Sequence, residues 1–459
     1  MKLLVLTTEP VPLPGLPATG AGLRAWGLTF GLRAAGYADT VLAFAADSVR
    51  GRDLPPSPVP GVMTFERSRL KEFIAEQQPD AVILQHWGLG KWLPELTCPL
   101  AIDLAGPHLL ERRLWGSTNP EEDLREKVQT LARADYVVCS GEFQRHYFLP
   151  FLFQAGFDAA DHLCPVIPFS VSPDIPTRPH AERNAADFLY AGFFLPWQDP
   201  AKTLEWTLET LAKRDKGRLV VVGGPHPGGD VSGGKYDALL EMLDEHERVE
   251  RRGPMAFDEY LVSTLLQCGV AVDLLPRNPE RELAFPTRTV VYMWAGLPVI
   301  HNDYDELAEP IRRAKAGWTL DPGDKRGLQR TIERLAGHSE DVERRSQNAQ
   351  DLVRARYTWD KTIEPLARWC ENPAPRRNKR APIVSVPARG RSAEGSGTPP
   401  AGKGRKARVT YSPPPPVTGP NRLQQVLSPL ALLIAMPIGL ALLLLFGFAE
   451  LARIILKRR

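Results

Sequence analysis

Four short segments of the chain collect residue types that could do chemistry. The richest is Glu280–Arg288, ERELAFPTR, followed by TVVYMWAGLPVI. A polar loop with carboxylates and arginines runs into a helical pattern, and the spacing puts Thr287 and Arg288 at that helix's N-terminus. Free backbone N–H groups and a forked guanidinium at such a place suit a pyrophosphate; a solvated helix arginine is the competing reading. A second segment, Glu9–Gly22, carries Gly15, Gly20 and Gly22 just ahead of another helical pattern. Its glycines permit close backbone approach to a phosphate or simply form a turn, and it is not a G-x-G-x-x-G fingerprint. The third groups His86-Trp87-Gly88 with Asp103 and His108, a set able to act as a base or bind a hydroxyl, or to serve as hydrogen-bonded loop residues. In the fourth, AGFFLPWQDP from Ala191 to Pro200, Gly192 is joined by Gly223-Gly224 after VVV. It offers backbone approach to a ligand or an ordinary turn.

These segments fall at the ends of apolar runs. Lys2–Thr7, Thr40–Phe44, Ala81–Leu84, Pro99–Asp103 and Tyr136–Cys139 read as strands, with a helical pattern over Gly22–Ala35. A second series follows Pro168: Phe188–Ala191, Leu219–Val222, Val270–Leu275 and Pro298–Ile300, with helices such as Ala201–Lys213 and Tyr236–Glu245 between them. Strands separated by helical stretches imply parallel sheets covered on both faces. Two series imply two doubly wound, Rossmann-like α/β domains, with ligands beyond the carboxyl ends of the strands. We place the first domain at 1–175 and the second at 176–370. Helical segments around Ser339–Tyr357 and Asp360–Trp369 close the folded part, the last packing back on the first domain.

Composition sets further limits. Fifty-seven basic and 54 acidic side chains in 459 residues give +3, which excludes a polycation built to coat nucleic acid. The balance is uneven: residues 1–370 carry −9, 371–422 carry +9 and 423–459 carry +3. Segment 371–422 is rich in Pro, Gly, Ser and basic residues and reads as a disordered linker. Leu427–Ala449 has 23 residues without a charge, about 34 Å as a helix, long enough to span a bilayer core. Pro437 and Gly439 within it keep a re-entrant segment open as an alternative, and we read 423–459 as a membrane anchor. Five scattered cysteines without a C-x-x-C pair suggest neither a zinc module nor a disulfide framework. MKLLVLTTEP is too short an apolar run for a secretory leader and reads as a first strand.

Several of these pieces, in order, resemble the GT-B fold glycosyltransferases, in particular the large retaining group that includes glycosyltransferase family 4. They are the Gly-containing loop after the first strand, LARADYVVCSGEFQRHYF, VIPFSVSPD, FLYAGFF, FPTRTVVYMWAGLPVI, ELAEPIRRAKAGWTLDPGD and YTWDKTIEPL. The resemblance implies a nucleotide-sugar donor held by the second domain and an acceptor held by the first. It implies no metal and no other cofactor, because basic side chains and helix N-termini balance the diphosphate. On it, Arg288 contacts the donor phosphates and Glu282 the sugar hydroxyls, while His86, Asp103 and His108 lie near the family's strand-end histidine. Gly20, Gly22, Gly192, Lys202, Gly223, Gly224, Phe285, Pro286 and Thr287 are the expected donor-binding residues. Departures are visible: Val291 stands where a ribose-binding glutamate belongs and Arg288 where relatives have lysine. Trp197-Gln198-Asp199 replace the usual basic pair, with Lys202 the nearest cation.

The function implied is sugar transfer to a lipid-linked or glycan acceptor in bacterial cell-surface glycan synthesis (lipopolysaccharide, capsule or exopolysaccharide), at the cytoplasmic face of the plasma membrane. The alternative is a catalytically impaired subunit that binds nucleotide sugar or acts as a scaffold. A dinucleotide-dependent oxidoreductase lacks its fingerprint here.

Overall fold

The computed structural model describes residues 1–49, 57–158, 163–177, 184–224, 232–335, 339–376 and 379–382. Two six-stranded parallel sheets organise them. The first contains β1 (Leu3–Thr7), β2 (Thr40–Ala45), β3 (Val62–Phe65), β4 (Ala81–Gln85), β5 (Leu100–Leu104) and β6 (Tyr136–Cys139), in the order β3-β2-β1-β4-β5-β6. The second contains β7 (Asn184–Phe193), β8 (Leu219–Gly224), β9 (Val249–Gly253), β10 (Cys268–Asp273), β11 (Val299–Asn302) and β12 (Gly317–Leu320), in the order β12-β11-β10-β7-β8-β9. Both are doubly wound, so each has one place where strand order reverses: between β1 and β4, and between β7 and β10. A crevice opens at the carboxyl end of a sheet at such a point.

The strands form because their residues can be buried on both faces. In β1, Leu4 and Leu6 pack into one core with Leu84, Ile102 and Leu131, while Leu3 and Val5 pack into the other with Leu28, Leu32 and Phe44. Truncating one such leucine to alanine costs about 2–5 kcal/mol. The second sheet likewise separates Leu189 and Ala271 on one face from Phe188, Val270 and Ile300 on the other. Three strands were not expected from the sequence: β3, β9 and β12. All three are sheet edges, and β9, VERRG, is partly exposed along its length with a charged alternation that blunts a free edge.

After helix Ser339–Arg356 the chain returns to the first sheet. Val171 and Thr358 form a parallel bridge, with Val171 N–H donating to Tyr357 O at 2.9 Å. The expected final helix is two pieces, Trp359–Thr362 and Glu364–Glu371, the second with Pro365 in its first turn. Ile363, Leu366 and Cys370 sit in the same core as Leu3 and Val5. Tyr37 and Tyr136 hydroxyls donate to the carbonyls of Ala367 and Pro365 at 3.0 and 3.1 Å.

The near end of the expected linker, which starts at 371, contacts the first domain. Arg376 N–H donates to Asp135 at 2.9 Å, Lys379 pairs with Asp135 at 2.7 Å, and Arg380 pairs with Asp158 at 3.0 Å. Arg376 also lies over the Phe157 ring at 3.7 Å. Basic residues that composition assigns to a solvated linker are here neutralised by acids of the first domain. The rest of that segment, and the expected membrane anchor at Leu427–Ala449, lie outside the described residues. Among the described residues no helix is long and apolar enough to cross a membrane.

Candidate active site

A cleft of about 620 Å³ spans the carboxyl ends of both sheets, over both reversal points. The first domain lines it with the loop after β1, the end of β4 and the residues after β5; the second lines it with Ala191–Gln198, Val222-Gly223, Pro254–Tyr260 and Asp273–Val291 segments. Two helix N-termini meet there. Thr19 caps helix Gly20–Ala34, its hydroxyl accepting from Gly22 N–H at 3.1 Å and donating to Glu9 at 3.0 Å. Helix Thr287–Trp294 starts opposite it, behind Pro286 and without a side-chain cap. A Cβ on Gly20 would lie 3.3 Å from the Thr287 methyl, so the two helix starts nearly touch. The N–H groups of these first turns that no side chain caps carry partial positive charge at the cleft wall.

Arg288 is the cationic centre of this wall. Its Nη1 donates to the Tyr190 hydroxyl and Ala191 O, both at 3.2 Å, and its Nη2 to Gln198 Oε1. Its Nε faces Asp273 Oδ1 at 3.4 Å. Burial opposes the charged guanidinium, but the Asp273 carboxylate together with the Tyr190 and Tyr292 hydroxyls outweighs it and raises the Arg288 pKa. Burial likewise pushes Asp273 up, and the charges of Arg288 and His301 with the Thr289 hydrogen bond overcome it and lower its pKa. Gly192 leaves room for this guanidinium, since a Cβ there would stand 2.2 Å from Nη1. Gly223, at φ +104°, packs backbone to backbone on Gly192. Val222, Pro254, Met255, Phe257 and Tyr260 make an apolar wall beside them, suited to a flat ring.

One helical turn, Pro279–Leu283, decides which carboxylate enters the cleft. Asn278 caps it, accepting from Glu280 and Arg281 N–H at 3.0 and 3.1 Å. Glu280 is 1 % exposed, lines the cleft and receives both arms of Arg281 at 2.5 and 2.6 Å. Burial raises its pKa against the pull of Arg281. Glu282, the carboxylate expected to meet a sugar, lies two residues on and so about 200° around the helix. It pairs with Arg277, is 40 % exposed and stands outside the lining.

On the acceptor side the strand end of β4 carries Gln85 and His86. The Thr7 hydroxyl donates to Gln85 Oε1 at 2.7 Å, leaving the buried Gln85 Nε2 without a partner beside the cleft. His86 adopts φ +76°, an unusual backbone for a histidine, and its Nδ1 accepts from Gly88 N–H at 3.1 Å. Its ring meets that of His108 edge-on at 4.1 Å, and His108 Nδ1 pairs with Glu111 Oε2 at 3.1 Å. Burial, then the charges of His108, Lys127 and Arg112, hold the His86 pKa well below the usual histidine value. A neutral imidazole with Nδ1 accepting has its proton on Nε2, which makes it a donor to an incoming oxygen.

The structure therefore brings together His86, His108, Gly20, Gly192, Gly223, Phe285, Pro286, Thr287 and Arg288 around one cleft. Five expected residues stand outside its lining. Asp103 is fully buried in an ion pair with Arg24, at 2.7 and 2.6 Å, and Arg24 also donates to Ile167 O. Gly22 is there for packing, because a Cβ would stand 1.9 Å from Pro10 O. Gly224 ends β8, its carbonyl accepting from Phe194 N–H at 2.8 Å. Lys202 is an exposed residue of helix Ala201–Arg214, and Glu282 is half-buried against Arg277, outside the cleft lining. Gln85, Glu111, Gln198, Asp273, Glu280 and Arg281 also line the cleft and were not among the expected site residues. Gln85 and Asp273 did carry a signal, each being a polar residue that ends an otherwise apolar strand.

No protein-family model matches the chain, and no curated protein matches it. Solved structures do. Sucrose-phosphate synthase from Thermosynechococcus elongatus superposes with a TM-score of 0.61 at 16 % identity, over 81 % of this chain and 98 % of that one. An alpha-glucosyltransferase in complex with UDP gives 0.58 at 13 %, over 81 % and 100 %. HepE of Anabaena, in complex with UDP and glucose, gives 0.55 at 16 %, over 81 % and 100 %. What this chain shares with them is the two-domain GT-B fold.

Proposed function

We propose that the chain is a glycosyltransferase that moves a sugar from a nucleotide-sugar donor to an acceptor hydroxyl. The observation that carries this reading is the meeting of Arg288, Gly20 and Thr287 at two facing helix starts, inside a cleft over both strand-order reversals. A diphosphate at that point would receive N–H groups from both helices and the charge of Arg288, which stabilises it as a leaving group. The apolar wall from Val222 to Tyr260 would take the base; that two of the fold neighbours are complexes with UDP supports a nucleotide ligand. Glu280 and Arg281 would meet the sugar hydroxyls in place of Glu282. An acceptor hydroxyl would approach from the side of Gln85, His86 and His108.

Finer features belong to the same proposal. We read the transfer as retaining and metal-independent, the second because helix starts and Arg288 can balance the diphosphate. The acceptor is read as lipid-linked, and the reaction as a step of bacterial cell-surface glycan synthesis at the cytoplasmic face of the plasma membrane. Support for that comes from the basic segment and the uncharged Leu427–Ala449 stretch.

One observation favours the impaired-subunit reading: Val291, which stands where the family resemblance expects a ribose-binding glutamate, lines the cleft. Nucleotide release with a panel of donors and a soluble acceptor analogue separates the two. Release dependent on acceptor supports the enzyme; tight donor binding with no turnover supports the subunit. The anomeric configuration of the product tests retention, chelator insensitivity tests metal independence, and a chain ending at Asn421 that leaves the membrane fraction tests the anchor.

A further inference from the structure

A string of buried polar side chains leads from Arg288 away from the cleft into the second domain. Asp273 faces Arg288 Nε with Oδ1 and accepts the Thr289 hydroxyl on Oδ2 at 2.6 Å. Thr289 Oγ1 lies 3.2 Å from His301 Nδ1, and His301 Nε2 lies 2.8 Å from Asp305 Oδ1. Asp305 Oδ1 also accepts from Leu307 N–H at 3.0 Å, and Asp305 Oδ2 is within 3.4 Å of the Asn302 amide. His301 has no solvent exposure.

The proton count along this string has one consistent solution. A threonine hydroxyl has a single proton, and a carboxylate only accepts. Thr289 gives its proton to Asp273, so it must accept from His301, which requires a proton on Nδ1. The Asp305 carboxylate likewise has no proton to give, so the short contact to Nε2 requires a proton there as well. Both ring nitrogens donate, and the imidazole is cationic. The charged groups around it agree. Burial and Arg288 disfavour the cation, but Asp305 at 2.8 Å and the more distant Asp273 outweigh them and raise the His301 pKa.

We propose that His301 is a positioning residue, a buried imidazolium that fixes Thr289 and Asp273 and, through Asp273, holds Arg288 aimed into the cleft. Its charge also offsets Asp305, so that the carboxylate of Asp273 stays committed to Arg288 and Thr289. When His301 loses a proton, the string loses a donor: Thr289 or Asp305 is left without one, Asp273 is released from its fixed orientation, and Arg288 loses its brace. This rests on the reading of Arg288 as the donor-phosphate residue.

Two measurements on the full-length protein test it. Imidazole ¹⁵N resonances, with the His301 signal assigned as the one missing from His301→Gln, read the network with no reference to activity. The proposal expects the doubly protonated signature at neutral pH and its loss only on the alkaline side; a neutral tautomer at pH 6.5 overturns it. The pH profile of donor KM reads the coupling. The wild-type protein should show donor KM rising at alkaline pH with kcat little changed. Asp305→Asn, which keeps the shape and removes the charge, should move that rise to lower pH. His301→Gln should raise donor KM about tenfold at neutral pH and abolish the rise. A rise at the same pH in all three proteins overturns the coupling. Should no donor be found, the resonance experiment still decides the charge state, so failure of the functional reading and failure of this one remain distinguishable. Where His301→Gln does not fold, Asp305→Asn supplies both readouts.

Discussion

The carboxylate of Glu306, on the loop after β11, accepts a hydrogen bond from the backbone N–H of Glu142 in the other domain at 2.9 Å. It thereby caps helix Glu142–Gln154 across the domain boundary, and Gly141 makes the approach possible, since a Cβ there would stand 2.1 Å from Glu306 Oε2. This contact joins the two halves of the cleft from the flank. Glu306→Ala should cost about 1 kcal/mol of stability, the usual worth of an N-cap. Gly141→Val should cost more by pushing the halves apart. Chemical denaturation of both variants checks this; a Gly141→Val protein with wild-type stability and wild-type donor affinity would show that the domains do not need this contact.

The single turn Pro279–Leu283 makes a sharper prediction about the two carboxylates it carries. Glu280→Gln keeps the shape and removes the charge that the Arg281 fork holds. Turnover should drop by about 1–3 kcal/mol of transition-state stabilisation. Glu282→Gln, on the solvent side, should leave turnover within twofold of wild type. Steady-state kinetics on the pair decides it, and the reverse ranking would return the sugar site to Glu282.

Lys127 provides a test of the packing that is independent of the cleft. Its ammonium is fully buried, without a hydrogen-bond partner, over the rings of Tyr147, Phe148 and Phe151 at 4.8, 4.8 and 3.7 Å. Burial pushes its pKa down to about 7. Between that value and 10.5 the unfolded chain binds the extra proton and the folded chain does not, so stability rises with pH across the window. The penalty is complete below pH 7. Lys127→Met should therefore stabilise the protein by roughly 2–4 kcal/mol at pH 6 and much less at pH 10. Urea midpoints at the two pH values check the sign; destabilisation at pH 6 would mean that the aromatic faces hold the cation better than this account allows.

The fold was legible because its strands are apolar on both faces: Leu3–Leu6 and Val220–Val222 cannot be placed anywhere but a covered parallel sheet. Of the four edge strands only β6 was; β9, for one, reads as charged coil. Arg288 was legible from its place at the start of an apolar helical run. Asp103 was misread because its partner Arg24 is 79 positions away, and nothing local says that a strand-end carboxylate faces inward rather than into a cleft. Glu280 and Glu282 flank the same arginine, and the choice between them depends on the phase of one helical turn set by the Asn278 cap. His301 did carry a signal, an ionisable residue inside the buried run VIHN, but its role depends on Thr289 and Asp305, which meet it only in three dimensions.

The donor site stands or falls on binding of a nucleoside diphosphate. Isothermal titration with UDP, and with the other common nucleoside diphosphates, should find one that binds the wild-type protein at a single site. Arg288→Ala should weaken that binding by about 2–4 kcal/mol, roughly 30- to 1,000-fold, while Glu282→Gln leaves it unchanged. A donor site at Gly20, Thr287 and Arg288 is excluded if no nucleoside diphosphate binds, or if Arg288→Ala binds it as tightly as wild type.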